Sequence, residues 1–365
     1  MKITKVETIV VSMPMVIEGN VLPKASGAPR TSMQTLLVRI DTDEGISGWG
    51  EGFGHRIHTA TKAAIDGFIG QMCVGRDPTT INALVDELQR NLGGVGRNGP
   101  AMYALSAIDI ALWDIAGKVA GLPLYRLLGG SPRKSLPGYA SLLRYGEPKA
   151  VTHYVERALK RGYRHLKLHE IETKNIKAGR EAAGAGFPIM VDCNCPWTVD
   201  EAIRHARELA PLDLTWLEEP VWPPEDDGGL ARVRTQGGIP TAAGENAMLP
   251  DFQRMFEAQA LSYAQPSVTK VGGVTMMRKV MALADAHGVT VVPHSAYFGP
   301  GLIASIHCIA AMARPTLVER YDADFAQNPL HDAIHPDAKG EFAIPQAPGL
   351  GIDPDPELMK KLRVD

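Results

Sequence analysis

Residues 188–219 read PIMVDCNCPWTVDEAIRHARELAPLDLTWLEE and contain one complete strand–helix–strand unit. PIMVDCN and LTWLEE are short apolar runs of strand length, and DEAIRHARELA between them spaces its apolar residues as a helix does. Two strands joined by a crossover helix pair in parallel, so their C-terminal ends lie on one edge of a sheet. Both ends carry an acid, Asp192 and Glu218.

The same rhythm runs outward in both directions. LPGYAS (136–141), RHLKLH (164–169), PTAAGE (240–245), LSYAQP (261–266), VTVVPHS (289–295) and TLVERYD (316–322) are further strand candidates, each expected to lead into a helix such as GVTMMRKVMALADAHG. Eight strand–helix units predict an α/β protein with a (β/α)8 barrel. A polar residue closes most of these strands: His169, Asp192, Glu218, Glu245, Ser267, His294 and Glu319, at intervals of 22 to 27 residues. In a parallel barrel those ends open on one mouth, and burying a polar group at so many successive strand ends without a task is costly.

Residues 1–125 follow another pattern. KITKVETIVVSM reads as a strand, and TLLVRIDTDEGISGWGE reads as two more around a turn at Asp43–Gly45. Three helical stretches follow: TATKAAIDGFIGQM, TINALVDELQR and AMYALSAIDIALWDIAGKVAG. Strands segregated from helices make an α+β capping domain. The barrel then spans 126–325, and the Pro-rich remainder, 326–365, is expected to pack back on the cap. Gly94, Gly96 and Gly99 satisfy G-x-G-x-x-G but follow a helical segment, so they read as a turn between helices and not as a dinucleotide site.

Composition narrows the partners. Basic residues number 38 against 41 acidic, for a net charge of -3, and no basic run marks a nucleic-acid or membrane partner. The opening apolar stretch is short, is broken by Glu7 and Thr8, and lacks a cleavage site, so it reads as a strand and not a signal peptide. The four cysteines are too scattered for a disulfide framework, and the Cys193–Cys195 pair has no second Cys/His pair to make a metal site with. The expected compartment is the cytoplasm.

The chemistry resides in the strand ends. Asp192, Glu218 and Glu245, converging, raise one another's pKa unless a cation neutralises them. An all-oxygen donor set favours Mg²⁺, or Mn²⁺, over Zn²⁺. Lys167 and His169 are two apart on one strand and share a face; a cation nearby would lower the lysine pKa and suit it to act as a general base. His294 stands across the mouth. Glu319, in a dry pocket, is expected to stay protonated and donate a hydrogen bond to a developing oxyanion. Asn194 and Glu219 are expected to orient ligands and substrate, while Arg30, His55, Arg56 and His58 on cap loops suit a polyol. The bland alternative for the carboxylates is local pairing with Lys or Arg.

VDCN, WLEEP, AGEN, TKVGGVT, VPHS and LVER, in that order, resemble the barrel motifs of the mandelate racemase / muconate lactonizing enzyme branch of the enolase superfamily. The resemblance runs from the first strands through GWGE to PGLGI. It implies Mg²⁺ held by Asp192, Glu218 and Glu245, cap loops around 14–31 and 51–58 closing over the barrel, a small-molecule carboxylate substrate and a homo-oligomer. Two positions depart from the branch. Lys167-Leu-His169 stands where K-x-K is common, and Ser267 stands where an Asp usually pairs with the seventh-strand histidine. Without that Asp, His294 is expected to lack the partner that fixes its tautomer and to act as the acid for a leaving group. The strand-two pair then removes the proton, with Lys270 as a supporting cation. The expected activity is that of a sugar-acid dehydratase; the alternatives are a lactone cycloisomerase, a racemase or epimerase, or, in another class, a catalytically silent acid-sugar-binding protein.

Overall fold

The computed structural model describes residues 1–16 and 31–365, with the side chains of 331 and 332 excepted. Arg30 lies outside the described residues. Strand Ile3–Val16 pairs antiparallel with Ser32–Thr42, which turns at Gly45 (φ +79°) into Ser47–Gly52. This sheet packs on the buried helix Gly99–Ala120. The fit depends on Gly48 and Gly50, where a Cβ would collide with the carbonyl oxygens of Ala111 and Ala107. With no side chain between them, strand and helix approach closely, and Glu51 is carried to the barrel side. Gly94–Gly99 does turn between two helices, Ile81–Asn91 and Gly99–Ala120.

Eight parallel strands form the barrel: Ser135–Ser141, Leu166–Leu168, Ile189–Asp192, Leu217–Glu218, Thr241–Ala243, Tyr263–Ala264, Thr290–Val291 and Val318–Tyr321. Each pairs with the next in chain order through the seventh, and the eighth pairs with the first. Between the seventh and eighth, the Thr316 hydroxyl donates to the Val291 carbonyl at 2.8 Å. Tyr139, Met190, Trp216, Ala242 and Val292 fill the barrel interior. The register sets Asp192 beside Glu218, so the two acids stand on neighbouring strands at one level.

One expectation fails here. The eighth strand leads into no barrel helix. After Tyr321 the chain forms a short strand, Asp324–Phe325, that pairs with Met15 and Val16 of the cap sheet. Asp322 and Asp324 are held there by Arg157 of the helix Pro148–Lys160 and by Arg161, which follows that helix and reaches Asp324 at 2.7 Å. The sequence beyond, QNPLHDAIHPDAKG, has no helical apolar spacing to support a helix. The terminal segment then touches both units. Glu341–Ala343 pairs with the first barrel strand, Leu350 N–H donates to Asp114 in the cap helix, and Arg363 bridges to Val11. No helix of the described residues is long and apolar enough to cross a membrane.

Candidate active site

The strand-end residues converge at the C-terminal mouth of the barrel. Lys167 is fully buried, and its Nζ stands 2.8 Å from both Glu218 and Glu319 and 3.7 Å from Asp192. His169 turns Nε2 to Asp192 at 3.0 Å and Nδ1 to the Leu142 carbonyl. Asn194, in the left-handed region (φ +54°), donates from backbone and side chain to the other Asp192 oxygen. Across the mouth, Glu245 accepts from Lys270 at 3.1 Å and faces His294 Nε2 at 3.0 Å. The site thus has two halves, Lys167–His169 at one end and Lys270–His294 at the other, with the carboxylates between them.

Ser267 corrects one expectation. His294 does not lose its Nδ1 partner; the Ser267 hydroxyl stands 3.2 Å from that nitrogen. A neutral hydroxyl replaces a carboxylate, so the ring is oriented without the added anion that would raise its basicity.

The electrostatics correct two more. Burial alone would lower the Lys167 pKa, but Glu218, Glu319 and Asp192 around it raise it well above the ordinary lysine value. Glu319 was expected to be a neutral acid. Burial pushes it that way, but Lys167, His294 and the Ser295 N–H, 2.7 Å away, outweigh burial and hold it down at about 2. It is a carboxylate, paired with the lysine on the second strand. Burial raises Asp192 and Glu245 too, but His169 and Lys167 hold Asp192 low, and Lys270 and His294 hold Glu245 well below the usual range. His169 is raised: burial opposes its charge and Asp192 overcomes that. Glu218 moves the other way, to about 7, because burial and the neighbouring Asp192 and Glu319 exceed the help from Lys167.

Whether these residues fit a divalent cation is decided by the donor chemistry. Among the described residues no three acid, imidazole or thiol side chains already close on a common point, since Asp192, Glu218 and Glu245 are turned to lysine and histidine. Glu219 shows the imbalance. It is pushed well above the carboxylate range by burial and then by Glu245, Asp192 and Glu218, which places four carboxylates within mutual electrostatic reach. Oxygen donors in excess of the cations beside them fit a hard dication. Asp192, Glu218 and Glu245 are the residues that would hold it.

Several neighbours were missed from sequence. Trp216 and Gln265 both donate to Glu218 Oε2, at 2.9 and 2.7 Å. Each lies two residues before a strand-end group, Glu218 or Ser267, so period-two alternation pointed to them. Arg144, on the loop after the first strand, ties the His169 and Cys193 carbonyls to the Asn194 side chain. From the cap, Phe53 lies over the Lys270 ammonium, 4.1 Å from ring centroid to Nζ, and packs against Tyr103. Of the cap-loop candidates, His55 packs at 6.3 Å from the Phe53 ring, Arg56 has a left-handed backbone (φ +63°), and His58 opens the helix His58–Ala64.

Acids at one mouth of the barrel, facing lysine and histidine from two ends beneath a capping domain, define an enzyme of the capped-barrel class. Residues 10–129 match the family described as mandelate racemase / muconate lactonizing enzyme, N-terminal domain, and residues 150–358 match that described as enolase C-terminal domain-like. The chain belongs to the mandelate racemase / muconate lactonizing enzyme branch of the enolase superfamily. It is 34% identical over 350 residues to a D-galactarolactone cycloisomerase of Agrobacterium fabrum, covering 90% of this chain and 91% of that one. It is 32% identical over 350 residues to a D-galactonate dehydratase of Ralstonia nicotianae, covering 89% and 90%. A solved structure of a racemase from Streptomyces coelicolor A3(2) with bound magnesium superposes with a TM-score of 0.85 at 31% identity, over 99% and 100% of the two chains.

Proposed function

We propose that this enzyme is a Mg²⁺-dependent sugar-acid dehydratase. It removes the proton α to a carboxylate and expels the β-hydroxyl as water, and the enol left behind tautomerises to a 2-keto-3-deoxy acid. The observation that carries the reading is the pairing of Lys167 with Glu218 and Glu319 at 2.8 Å, opposite His294 on Glu245 at 3.0 Å. Proton-carrying groups therefore flank the carboxylate arc from both ends.

When bound by Asp192, Glu218 and Glu245, the ion supplies Lewis-acid polarisation of the substrate carboxylate. The residues do the rest. Lys167, in its amine form, takes the α-proton; that form becomes accessible once Glu218 is engaged elsewhere and only Glu319 still holds the ammonium. His169, charged between Asp192 and the Leu142 carbonyl, fixes the far side of Asp192. His294, oriented by Ser267, gives its proton to the departing hydroxyl, so that water leaves and the C–O electrons stay with the oxygen. Lys270 and Asn246 steady Glu245. Asn194 and Glu219 border the substrate, with His55, Arg56, His58 and Arg30 on the cap side reading its hydroxyls.

A second reading, lactone cycloisomerisation, has its own support in the Lys167–His169 pair, in Ser267, and in the 34% identity to a lactone cycloisomerase. There the leaving oxygen is the ring ester oxygen and no water is released. Incubation with a panel of aldonic acids, aldaric acids and their lactones plus Mg²⁺ separates the two. Semicarbazide absorbance from a 2-keto acid released from an open-chain acid supports dehydration. Conversion of lactones alone, with no activity on open acids, overturns it. Intact binding without any turnover would favour a silent acid-binding protein. The reading also places the enzyme in the cytoplasm, supported by four free cysteines, and as a homo-oligomer, supported by the exposed Trp222 and Val95. Light scattering checks the latter.

A further inference from the structure

Glu51 is the next-to-last residue of the third cap strand, is buried, and pairs with no lysine, arginine or histidine among the described residues. Its carboxylate instead accepts the backbone N–H of Gly301 at 2.9 Å, at the start of the helix Pro300–Ala311, with the N–H groups of Gly299 and Phe298 close enough to favour its charge. Gly299 and Gly301 leave the room it needs, since a Cβ at either would stand within 2.9 Å of Glu51 Oε2. The helix begins directly after the seventh-strand segment that carries His294. Tyr297 couples the two: its ring meets the His294 ring edge-on at 6.0 Å, and its hydroxyl donates to the His294 carbonyl at 3.3 Å. Further holds on this link are the Pro266 carbonyl on His294 N–H, Glu319 on Ser295 N–H and Asn328 on the Phe298 carbonyl.

We propose that Glu51, a capping-domain carboxylate outside the reacting arc, is a positioning residue for His294: by holding the Gly301 N–H and packing against Gly299 it fixes the link that aims the imidazole. A cap carboxylate on the N-terminus of the next barrel helix in from Glu51 offers the internal comparison. Asp109, from the cap helix Gly99–Ala120, accepts from Thr275 N–H at 3.0 Å at the start of the helix Gly273–Ala286, which follows the Ser267–Lys270 segment. Both carboxylates dock the cap on the barrel, but only Glu51 grips the segment that leads to His294. A docking role alone would make the two interchangeable. The positioning role makes His294 answer to Glu51 and not to Asp109.

The test reads His294 directly and needs no turnover. Full-length protein is treated with diethyl pyrocarbonate, and peptide mass spectrometry follows carbethoxylation of His294, with His294→Asn to assign the peptide and the exposed His153 as internal reference. In Glu51→Ala, His294 is expected to react at least about fivefold faster while His153 is unchanged, and Glu51→Gln, which keeps an acceptor oxygen, is expected to fall nearer the wild type. Asp109→Asn is expected to leave the His294 rate within about twofold. An unchanged His294 rate in folded Glu51→Ala, or an equal rise at His294 and His153, overturns the proposal. Should Glu51→Ala not fold, the same comparison is read on Glu51→Leu, which removes both acceptor oxygens at similar volume: a rise at His294 alone supports the proposal and no rise overturns it. The consequence for turnover rests on the acid role given to His294 above: kcat on an accepted acid falls about tenfold with KM nearly constant. Because the labelling arm is independent of turnover, absence of any accepted acid sinks the dehydratase reading and leaves the positioning result standing.

Discussion

Gln265 donates its side-chain amide to Oε2 of Glu218 at 2.7 Å, on the same oxygen that the Trp216 indole holds at 2.9 Å. Oε1 is left to Lys167. Glu218 is thereby fixed from the fourth and sixth strands, and the orientation of a carboxylate expected to bind a cation is set by two neutral donors. Gln265→Leu removes one of them at similar volume. Partners that orient a metal ligand are worth about 10- to 100-fold in affinity, so Mg²⁺ binding by isothermal titration is expected to weaken by about tenfold in this variant. Affinity equal to the wild type would show that Trp216 alone suffices.

Lys167 between Glu218 and Glu319 makes a second prediction. Removing one member of a buried charged cluster strands the others, at about 3–5 kcal/mol. In metal-free protein Lys167→Met is expected to lower the melting temperature by several degrees, since two buried carboxylates lose their shared cation. It is also expected to abolish exchange of the substrate α-hydrogen for deuterium in D₂O. His294→Asn, in contrast, should retain that exchange while losing water elimination. Exchange that survives Lys167→Met and disappears in His294→Asn would reverse the two roles.

The barrel was legible because the strand-end groups repeat at nearly one interval and the helices between them keep their apolar spacing. The same rhythm misled at its end: a helix was expected after TLVERYD, where the residues that follow carry no such spacing and the chain instead pairs with the cap. The directions of the Lys167 and Glu319 pKa shifts were hidden for another reason. These two lie on the second and eighth strands, far apart in sequence, and only closure of the barrel through the first strand makes them partners. Phe53 over Lys270 was equally hidden, because a contact between cap and barrel leaves no periodic trace in either. Trp216 and Gln265 were available to reading, since alternation turns them the same way as Glu218 and Ser267.

Four acids within reach of one another make the metal-free site electrostatically unfavourable, so a dication should stabilise the fold as well as serve the chemistry. Any ligand that binds only the native state raises stability by about 2.7 kcal/mol at a hundredfold excess over its Kd. Mg²⁺ added to chelator-stripped protein is therefore expected to raise the melting temperature in differential scanning fluorimetry, and Mn²⁺ to replace it. Asp192→Asn should blunt that shift. Full activity after exhaustive chelation, with no thermal response to Mg²⁺, would sink the metal assignment.

The buried cap carboxylates give stability an uncommon pH dependence. Burial, only partly offset by backbone N–H groups, pushes Glu51 up to about 7 from an ordinary 4.5, and Asp109 up to about 7 from 3.8. In the folded protein each holds its proton where the unfolded chain has already released it. Stability from these groups is therefore complete below the ordinary carboxyl values and declines as pH rises to about 7, because the folded state binds more protons across that window. Above it the loss levels off at an order of 3 kcal/mol for each group. Asp109→Asn removes the titration while keeping an acceptor for Thr275 N–H. The variant is expected to be no more stable than the wild type near pH ~4, and to gain on it steadily by on the order of 3 kcal/mol toward pH ~8 in urea unfolding. A stability difference that stays flat across this range would mean that Asp109 is ionised in the folded protein throughout, with Arg278 of the facing helix Gly273–Ala286 acting on it more strongly than burial.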